Sequence, residues 1–379
     1  MVNASRVEYS AADFIVTDVN GSPGVINGHT HGIVGTYASY SAAVNGAIGA
    51  ASSTRPTSIW IDPVYADDET GTITINKTRI HLYSGIHNAM DNSSTWWTGT
   101  TTGMKPRFLR VTIDSSSVEI RACSISGLVL RELDFYANTN SMHNILVESC
   151  GFWPTTATST SAFYFRGAET INYLTVNNCW IVDGCTAGAI RFTQTTDPGS
   201  GQYYFNGLHY KPDVSNATMV VMDTASRISQ ILVFNELDHV NFASGHKFFW
   251  FKDSTYDKGI RVINSSIEEH VSVTLFQIDA GHATRLQHHA LEFSHNSGTL
   301  AGSGDGVGVF TVITNNAVSA DFSNGIMSYL HGHMNRFMSS YIDGTLTAGT
   351  PAEHARFSYD LGYVYYNILT ETNVVGTTG

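Results

Sequence analysis

The sequence predicts an all-β fold: a right-handed parallel β-helix with a short N-terminal cap helix and a β-rich C-terminal cap. Three observations support this prediction: a repeated eight-residue pattern, the near absence of long helical periodicity, and linkers rich in Gly, Asn, Asp and Ser. Inside each octet, apolar and polar residues alternate as they do in half-buried strands. A repeat near 29 residues is shorter than a propeller blade and too regular for an ordinary sandwich, so stacked coils are the simplest solution.

The octet has apolar residues at positions one, three and eight and a small or apolar residue at position six. It starts at residues 128, 145, 174, 203, 232, 260 and 286, so a first step of 17 residues is followed by steps of 29, 29, 29, 28 and 26. Positions six and eight predict two buried columns along the stack. Position six holds Leu133, Cys150, Cys179, Leu208, Leu237, Ser265 and Leu291. Position four holds Asn177, Asn206 and Asn235, whose amides we expect to hydrogen-bond from coil to coil.

One helix is expected before the octets, within residues 36–52, where Ser39 or Ser41 is placed to cap it. Its apolar positions follow the spacing of a single helix face and are Tyr40, Ala43, Val44, Ala47, Ile48 and Ala51. Short alternating runs at 58–61, 72–75 and 79–82 predict strands.

The chain is predicted to divide into four parts. These are an extended N-terminal adaptor (1–35), the cap helix (36–55), the parallel β-helix (56–330) and a C-terminal region (331–379) in which the repeat is lost. Because the open end of a solenoid must be covered, the Tyr-rich C-terminal region is predicted to be a cap or a trimer interface.

Composition excludes several functional classes. The net charge is −12 and the 20 basic residues form no cluster, which argues against a nucleic-acid binder and against adhesion to anionic lipid. No apolar run is long enough to span a bilayer, and residues 1–22 do not resemble a signal peptide, so no membrane insertion is expected. Cysteine spacing shows no zinc pattern and predicts buried free thiols, and no cofactor is expected; the four cysteines are Cys123, Cys150, Cys179 and Cys185.

The segment that opens the predicted coil stack resembles the start of pectate-lyase-like β-helix proteins. The resemblance lies in the Ala-spaced helix, SIWIDP at 58–63, GTITI at 71–75 and RIHLYSG at 79–85, and it covers roughly residues 36–300. In style it is similar to the tailspikes and tail fibres of viruses that infect prokaryotes. This implies a homotrimeric virion protein that binds a host surface glycan and contacts other virion proteins through its N-terminus.

Two alternatives to a receptor-binding role remain: a polysaccharide lyase or glycoside hydrolase of the same fold, and a structural fibre subunit. Hydrolysis needs two carboxylates about 5–10 Å apart, a spacing that coils stacked at about 4.8 Å provide. The acidic residues Asp238 and Glu292 occupy position seven of their octets, while Glu268 and Glu269 directly follow an octet. They are the candidate catalytic residues, and the alternative is an ordinary solvated surface.

Three tryptophans are candidates for binding a sugar ring. Trp180 occupies position seven and Trp153 follows position eight of the preceding octet, both with outward parity, and Trp250 belongs to the aromatic run at 248–251. Flat indole rings are suitable platforms for sugar faces, whereas burial in the core is the alternative.

The sequence HTHG at 29–32 places His29 and His31 on one side of a predicted strand. Such a pair supplies two ligands to a metal ion, but a tetrahedral site needs a third and a fourth. No acidic or cysteine partner lies nearby in sequence, so two surface or interface histidines are the alternative, and no metal is predicted.

Overall fold

A computed structural model of the chain supplies the description that follows. It describes residues 12–62, 68–85, 107–153, 161–182, 187–195, 201–212, 215–223, 227–228, 231–241, 246–252, 255–256, 260–269, 273–278, 290–294, 297–300, 310–314, 329–333, 336–338, 342–343, 357–360 and 367–368. Within these residues the protein is dominated by strands and has a single helix.

The first part of the chain forms paired strands around this helix. Its elements are β1 (Phe14–Val19), β2 (Ser22–Asn27), β3 (Ile33–Thr36), α1 (Tyr40–Ala50), β4 (Thr57–Ile61), β5 (Asp68–Ile75) and β6 (Ile80–Ser84). Strands β1, β2 and β3 pair antiparallel, and β1 pairs parallel with β4. The described part of the predicted adaptor is therefore a three-stranded addition to a sheet and not an extended chain.

Helix α1 confirms the predicted face and cap. The Ser39 side chain accepts a hydrogen bond from the Ala42 N–H at 3.1 Å, which satisfies one of the free donors at the helix start. At the other end, the Lys77 ammonium donates to the carbonyls of Gly49 and Ala51 at 2.7 and 2.9 Å. The predicted apolar positions are all buried and join the main core.

The rest of the chain adds short strands in a regular cycle. They are β7 (Arg107–Asp114), β8 (Ile120–Arg121), β9 (Ser124–Ser126), β10 (Val129–Ala137), β11 (Met142–Glu148), β12 (Gly151–Phe152), β13 (Phe163–Gly167), β14 (Ile171–Asn177), β15 (Trp180–Val182), β16 (Ile190–Phe192), β17 (Gln202–Asn206), β18 (His209–Lys211), β19 (Thr218–Met222), β20 (Arg227–Ile228), β21 (Ile231–Asn235), β22 (Asp238–Asn241), β23 (Lys247–Phe251), β24 (Thr255–Tyr256), β25 (Ile260–Ile263), β26 (Ser266–Glu269), β27 (Val273–Ile278), β28 (Ala290–Ser294), β29 (Ser297–Leu300), β30 (Phe310–Thr314), β31 (Tyr329–His333), β32 (Arg336–Met338), β33 (Ile342–Asp343), β34 (Phe357–Asp360) and β35 (Asn367–Ile368).

These strands pair in parallel, and most of them form three series, while β20 with β24 and β33 with β35 make two separate two-stranded sheets. The first series runs β9, β11, β14, β17, β21, β25, β28, β31 and β34. From β10 the other large sheet divides, so that the second series runs β12, β15, β18, β22, β26, β29 and β32 and the third runs β13, β16, β19, β23, β27 and β30. From β11 to β27 each repeat contributes one strand to each series, which brings side chains from successive repeats into columns.

The central octets have the predicted register. Ile145, Leu174, Tyr203, Leu232 and Ile260 lie opposite one another in turn, as expected for position one. Position eight forms a second continuous column of Phe152, Ile181, Tyr210, His239 and Ile267. The octet assignments that start at 145, 174, 203, 232 and 260 are therefore confirmed.

The first and last octets were assigned to the wrong register. Gly151 lies opposite Val129, so Cys150 follows Leu128 in its column and not the predicted Leu133. At the other end Leu291 lies opposite Ile260, which makes it a position-one residue and not a position-six residue. Strands of all three series have apolar residues at every second position. The alternating pattern alone therefore does not determine which series a segment joins.

A column of left-handed residues makes the corner between the first and second series. Position five holds Ser149, Asn178, Gly207, Glu236 and Asn264, with φ between 49° and 62°. Asn and Gly tolerate this conformation better than other residues do. The predicted Asn ladder lies beside the corner, where Asn206 Nδ2 donates to Asn177 Oδ1 at 3.1 Å.

Apolar side chains from all three series fill the core. Phe135 of β10 stacks on Phe165 of the third series, which stacks on Phe192, with centroid separations of 4.7 and 4.6 Å. Cys150 and Cys179 are fully buried free thiols, as predicted, and Cys123 is also buried and free. Cys185 lies outside the described residues.

Strand stacking continues beyond residue 330, where the sequence pattern predicts loss of the repeat. Strand β31 pairs with β28 and β34 pairs with β31, both in parallel. No helix in the described part of the chain is long and apolar enough to cross a membrane.

Candidate functional site

Position seven of the octets forms an outward-facing column on the second series. The register places Gly151, Trp180, His209, Asp238 and Ser266 opposite one another in turn. Since positions six and eight point into the core, the side chains between them point outward. We call Trp180, His209 and Asp238 the Trp–His–Asp ladder.

The three side chains of this ladder contact one another in sequence. The Trp180 and His209 rings are 5.1 Å apart between centroids, with planes only 6° from parallel. His209 Nδ1 lies 2.9 Å from Asp238 Oδ2, a hydrogen bond that becomes an ion pair when the imidazole is protonated. The His209 and Asp238 side chains are 36% and 37% exposed, so the ladder combines a flat aromatic surface, a ring donor and a carboxylate within reach of solvent.

Trp153 and Glu268 occupy neighbouring register positions on the second series. Trp153 is half-buried, and its N–H donates to the Leu130 carbonyl at 2.8 Å, which continues the strand one residue beyond β12. This gives Trp153 the outward parity predicted for it, in the column next to that of Trp180. Glu268 lies opposite Val240, in the same neighbouring column as Trp153, and is therefore diagonal to Asp238 across adjacent strands.

The remaining two carboxylate candidates are placed by register. Glu269 lies opposite Asn241 at the end of β26. Glu292 lies opposite Arg261 in the first series, so the prediction that it shares the column of Asp238 is wrong. The error comes from the wrong register of the last octet. Glu292 therefore does not lie beside the other candidate catalytic carboxylates.

Trp250 lies on the third series under two lysines. The Lys247 and Lys252 ammonium groups lie over the indole at 4.7 and 4.4 Å from its centroid. The ring therefore engages cations, an arrangement that competes with its predicted use as a sugar platform.

The outward face of the third series carries charged pairs that the sequence analysis did not single out. Arg166 binds Asp134 through two hydrogen bonds of 2.8 Å, from Nε to Oδ1 and from Nη2 to Oδ2. Arg191 binds Asp223 with its Nε and Nη2 atoms 3.2 and 2.6 Å from Oδ2. The carboxylates lie deep, with Asp134 0% and Asp223 13% exposed, whereas the two arginine side chains are 33% and 23% exposed.

A third pair joins Glu132 and Arg110 on the same face, with 2.6 Å between Oε1 and Nε. The Glu132 side chain is 1% exposed, and its Oε2 accepts a hydrogen bond from the Ser161 N–H at 3.1 Å. Burial raises the pKa of Glu132, and attraction by Arg110 offsets only part of the increase. The hydrogen bonds to Asp134 raise the pKa of Arg166, which keeps its guanidinium charged.

The two histidines at 29 and 31 do not form a ligand pair. They lie in and after a turn, where His31 has φ of 58°, and not side by side on a strand. His29 Nε2 instead lies 2.9 Å from Asp13 Oδ1, at the edge of an open cleft of about 370 Å³ that Arg55 also lines. Among the described residues, no group of three or more His, Cys, Asp or Glu is placed to hold a metal ion.

His209 is the residue of the ladder that sequence reasoning missed. Its signal was present, because His209 occupies position seven of an octet whose register was correctly assigned. The column becomes visible only when the same octet position is compared across successive repeats.

Comparison with protein-family profiles, with curated proteins and with solved structures finds no match to this chain.

Proposed function

We propose that the protein is a right-handed parallel β-helix that binds polysaccharide on its outer surface, as a tailspike-like or fibre-like receptor-binding protein of a virion. The parallel strand series support the fold, and right-handed crossovers are the rule for parallel strands. The resemblance of residues 36–300 to tailspike-type proteins supports the virion assignment, the homotrimer and the contact of the N-terminus with other virion proteins.

The Trp–His–Asp ladder is the observation that carries the proposed glycan binding. Aromatic faces bind the CH surfaces of sugars, and carboxylates accept hydrogen bonds from their hydroxyl groups. The Trp180 indole is fixed by its 5.1 Å stack on His209, so little side-chain entropy remains to be lost when a ligand binds. Host surface glycan is the polymer that fits a virion protein with this surface.

The test is binding of the purified chain to a panel of capsular and cell-wall polysaccharides, measured by calorimetry. Trp180→Ala should weaken binding by roughly 1–3 kcal/mol if the ring is an anchor. Tyr173→Ala is the matched control, because Tyr173 is 54% exposed but lies on the first series. Equal binding by wild type and Trp180→Ala, or a loss only in the Tyr173 variant, would contradict the assignment of the ladder.

A polysaccharide-degrading enzyme is the second candidate, and the register of Asp238 and Glu268 favours it. Diagonal neighbours on adjacent strands lie roughly 7–8 Å apart, within the spacing of about 6.5–9.5 Å between carboxylates of inverting glycosidases. Asp238→Asn or Glu268→Gln should then abolish turnover while binding persists, because an amide cannot transfer the proton. New reducing ends without ultraviolet absorbance would identify a hydrolase, and new reducing ends together with the absorbance of an unsaturated uronate would identify a lyase. Neither binding nor cleavage of any polysaccharide would favour a structural fibre.

A further inference from the structure

Two arginines on the third series have the same unusual construction. Each guanidinium directs its Nε and Nη2 atoms at an aspartate that lies beneath it, Arg166 at Asp134 and Arg191 at Asp223. Because the guanidinium is planar, the Nη1 amino group then points away from that carboxylate. Both arginines are thus held in one orientation, with donors directed outward from the pair.

Two hydroxyl groups lie between these arginines. The register places Arg191 opposite Tyr164, and two residues further along the Thr193 N–H donates to the Phe165 carbonyl at 2.8 Å, next to Arg166 in the chain. Thr193 Oγ1 donates to the Tyr164 hydroxyl at 3.1 Å, so the phenol hydrogen is directed to another acceptor. The Tyr164 ring has both guanidinium carbons nearby, at 5.9 Å for Arg166 and 5.5 Å for Arg191 from its centroid.

We propose that Arg166, Arg191, Tyr164 and Thr193 form a binding site for an oxyanion group, a carboxylate or a sulfate, carried by an anionic polysaccharide. The site presents N–H donors from the two guanidiniums and the O–H of Tyr164, which the Thr193 hydroxyl orients by donating to it. The two aspartates lie behind the guanidiniums, 0% and 13% exposed, so an approaching ligand meets the cations first. The choice of a polysaccharide as the carrier rests on the function proposed above, whereas the oxyanion site rests on the geometry of the third series.

The anchored arrangement favours binding for two reasons. Arg166 stacks on the Tyr136 ring at 3.9 Å and is held by two hydrogen bonds, so the rotamer entropy that free surface arginines lose on binding is already lost. The Lys252 ammonium, 3.8 Å from Asp223, adds a third cation at the edge of the site.

Nucleic acid fits this face less well than an acidic sugar polymer does. The tyrosine and tryptophan rings of the third series have cations over their faces, whereas single-stranded nucleic acid requires open faces on which bases stack.

The test compares alginate and dextran sulfate with neutral dextran and with single-stranded DNA of equal length, by calorimetry at low salt. We expect the two anionic polysaccharides to bind and Arg191→Lys to weaken them roughly tenfold or more, because a bidentate, planar donor is lost. Tyr164→Phe combined with Thr193→Val should weaken them severalfold while leaving both ion pairs intact. Arg121→Lys is the matched control, since Arg121 is paired with Glu119 on another surface and should not alter binding.

Several outcomes would overturn this inference. The oxyanion site is contradicted if both the Arg191 variant and the Tyr164/Thr193 variant bind with wild-type affinity. The polysaccharide assignment is contradicted if DNA binds as tightly as alginate and the same variants weaken its binding. Failure of the proposed function gives a different result. In that case Trp180→Ala binds polysaccharide as tightly as wild type does, while the arginine variants still bind the anionic polymers more weakly. If no polymer binds, thermal melting in sodium sulfate against sodium chloride at equal ionic strength decides. Sulfate stabilises folded proteins in general, so a larger stabilisation of wild type than of Arg191→Lys supports the oxyanion site, and identical shifts overturn it.

Discussion

The Trp180 indole lies flat on the His209 imidazole, 5.1 Å between ring centroids, although the two residues are separated by a complete repeat of the chain. The contact exists because parallel pairing puts equivalent octet positions of successive repeats side by side. Asp238 extends the same column by one more strand, which turns a repeated sequence position into a continuous surface.

Substitutions of His209 separate the stack from the hydrogen bond. His209→Phe keeps a flat ring beneath Trp180 but cannot bond to Asp238, whereas His209→Ala removes both contacts. If stacking positions the indole, the Phe variant should retain most of the polysaccharide affinity and the Ala variant should lose a part worth about 0.5–1.5 kcal/mol. Calorimetric titration of both variants measures this, and equal losses in the two would show that the hydrogen bond matters more than the stack.

Glu236 occupies a corner position that suits glycine better. Its φ is 57° and its side chain is exposed, while the preceding repeat has Gly207 at the equivalent position. Glu236→Gly should raise the free energy of unfolding by about 1 kcal/mol, because an L-residue is disfavoured in the left-handed region. Glu236→Gln keeps the side chain and the backbone strain while removing the charge, so a similar gain in that control would assign the effect to charge. Urea denaturation gives both values.

The buried thiols should be unreactive in the native protein. Burial raises the pKa of Cys123 to about 11, and burial next to Cys150 raises that of Cys179 well above its ordinary value, so little of the reactive thiolate forms near neutral pH. In a Cys185→Ser background, labelling of the three thiols should require unfolding. A native labelling rate equal to that in denaturant would contradict the assignment of Cys150 and Cys179 to the interior column.

Glu132 should make the stability of the protein depend on pH. Burial raises its pKa above the ordinary value of 4.5, so the native state holds this proton to higher pH than the unfolded chain does. The contribution of Glu132 is therefore full below pH 4.5 and is lost as the pH rises through the native pKa. Between these values wild type should lose more stability with rising pH than Glu132→Gln, as measured by urea unfolding. If the stability of the two proteins changes with pH in the same way, the raised pKa of Glu132 is contradicted. Glu236→Gln, which removes an exposed carboxylate, is the control.

The proposed homotrimer has a direct test in solution. The resemblance to tailspikes and the exposed strand edges of a coil stack predict a species of about 124 kDa, three times the chain mass of 41.2 kDa. Sedimentation at micromolar concentration that shows only a 41.2 kDa species would contradict it.

Sequence reasoning succeeded where the chain repeats and erred at the ends of the repeat. The register of octets 145 to 260 was predictable because an alternating strand that slips by one residue would put its apolar side chains into solvent. That constraint fixes parity but does not distinguish one strand series from another. Glu292 shows the consequence, since it has a plausible parity for position seven but belongs to the series that contains Arg261.

The candidate site was predicted in part. Trp180 and Asp238 were both identified from their octet position, but neither their connection through His209 nor the cations over Trp250 was visible in the sequence. The buried carboxylates Glu132 and Asp134 escaped notice for a related reason. Their arginine partners come from neighbouring strands. A charged residue in a strand is expected to be exposed when its partner is unknown.

The sequence by itself determined the strand-rich class of the protein, the cap helix and the spacing of its central repeats, because local alternation and helix periodicity are properties of neighbouring residues. Only the tertiary structure decided which side chains meet, since every contact of the Trp–His–Asp ladder and of the paired arginines joins residues from different strands. Such pairs depend on the length of each intervening loop, and loop length is not constrained by the hydrophobic burial that sets the repeat. A shift of two residues in register preserves the inward parity of the core columns but moves a carboxylate to another partner.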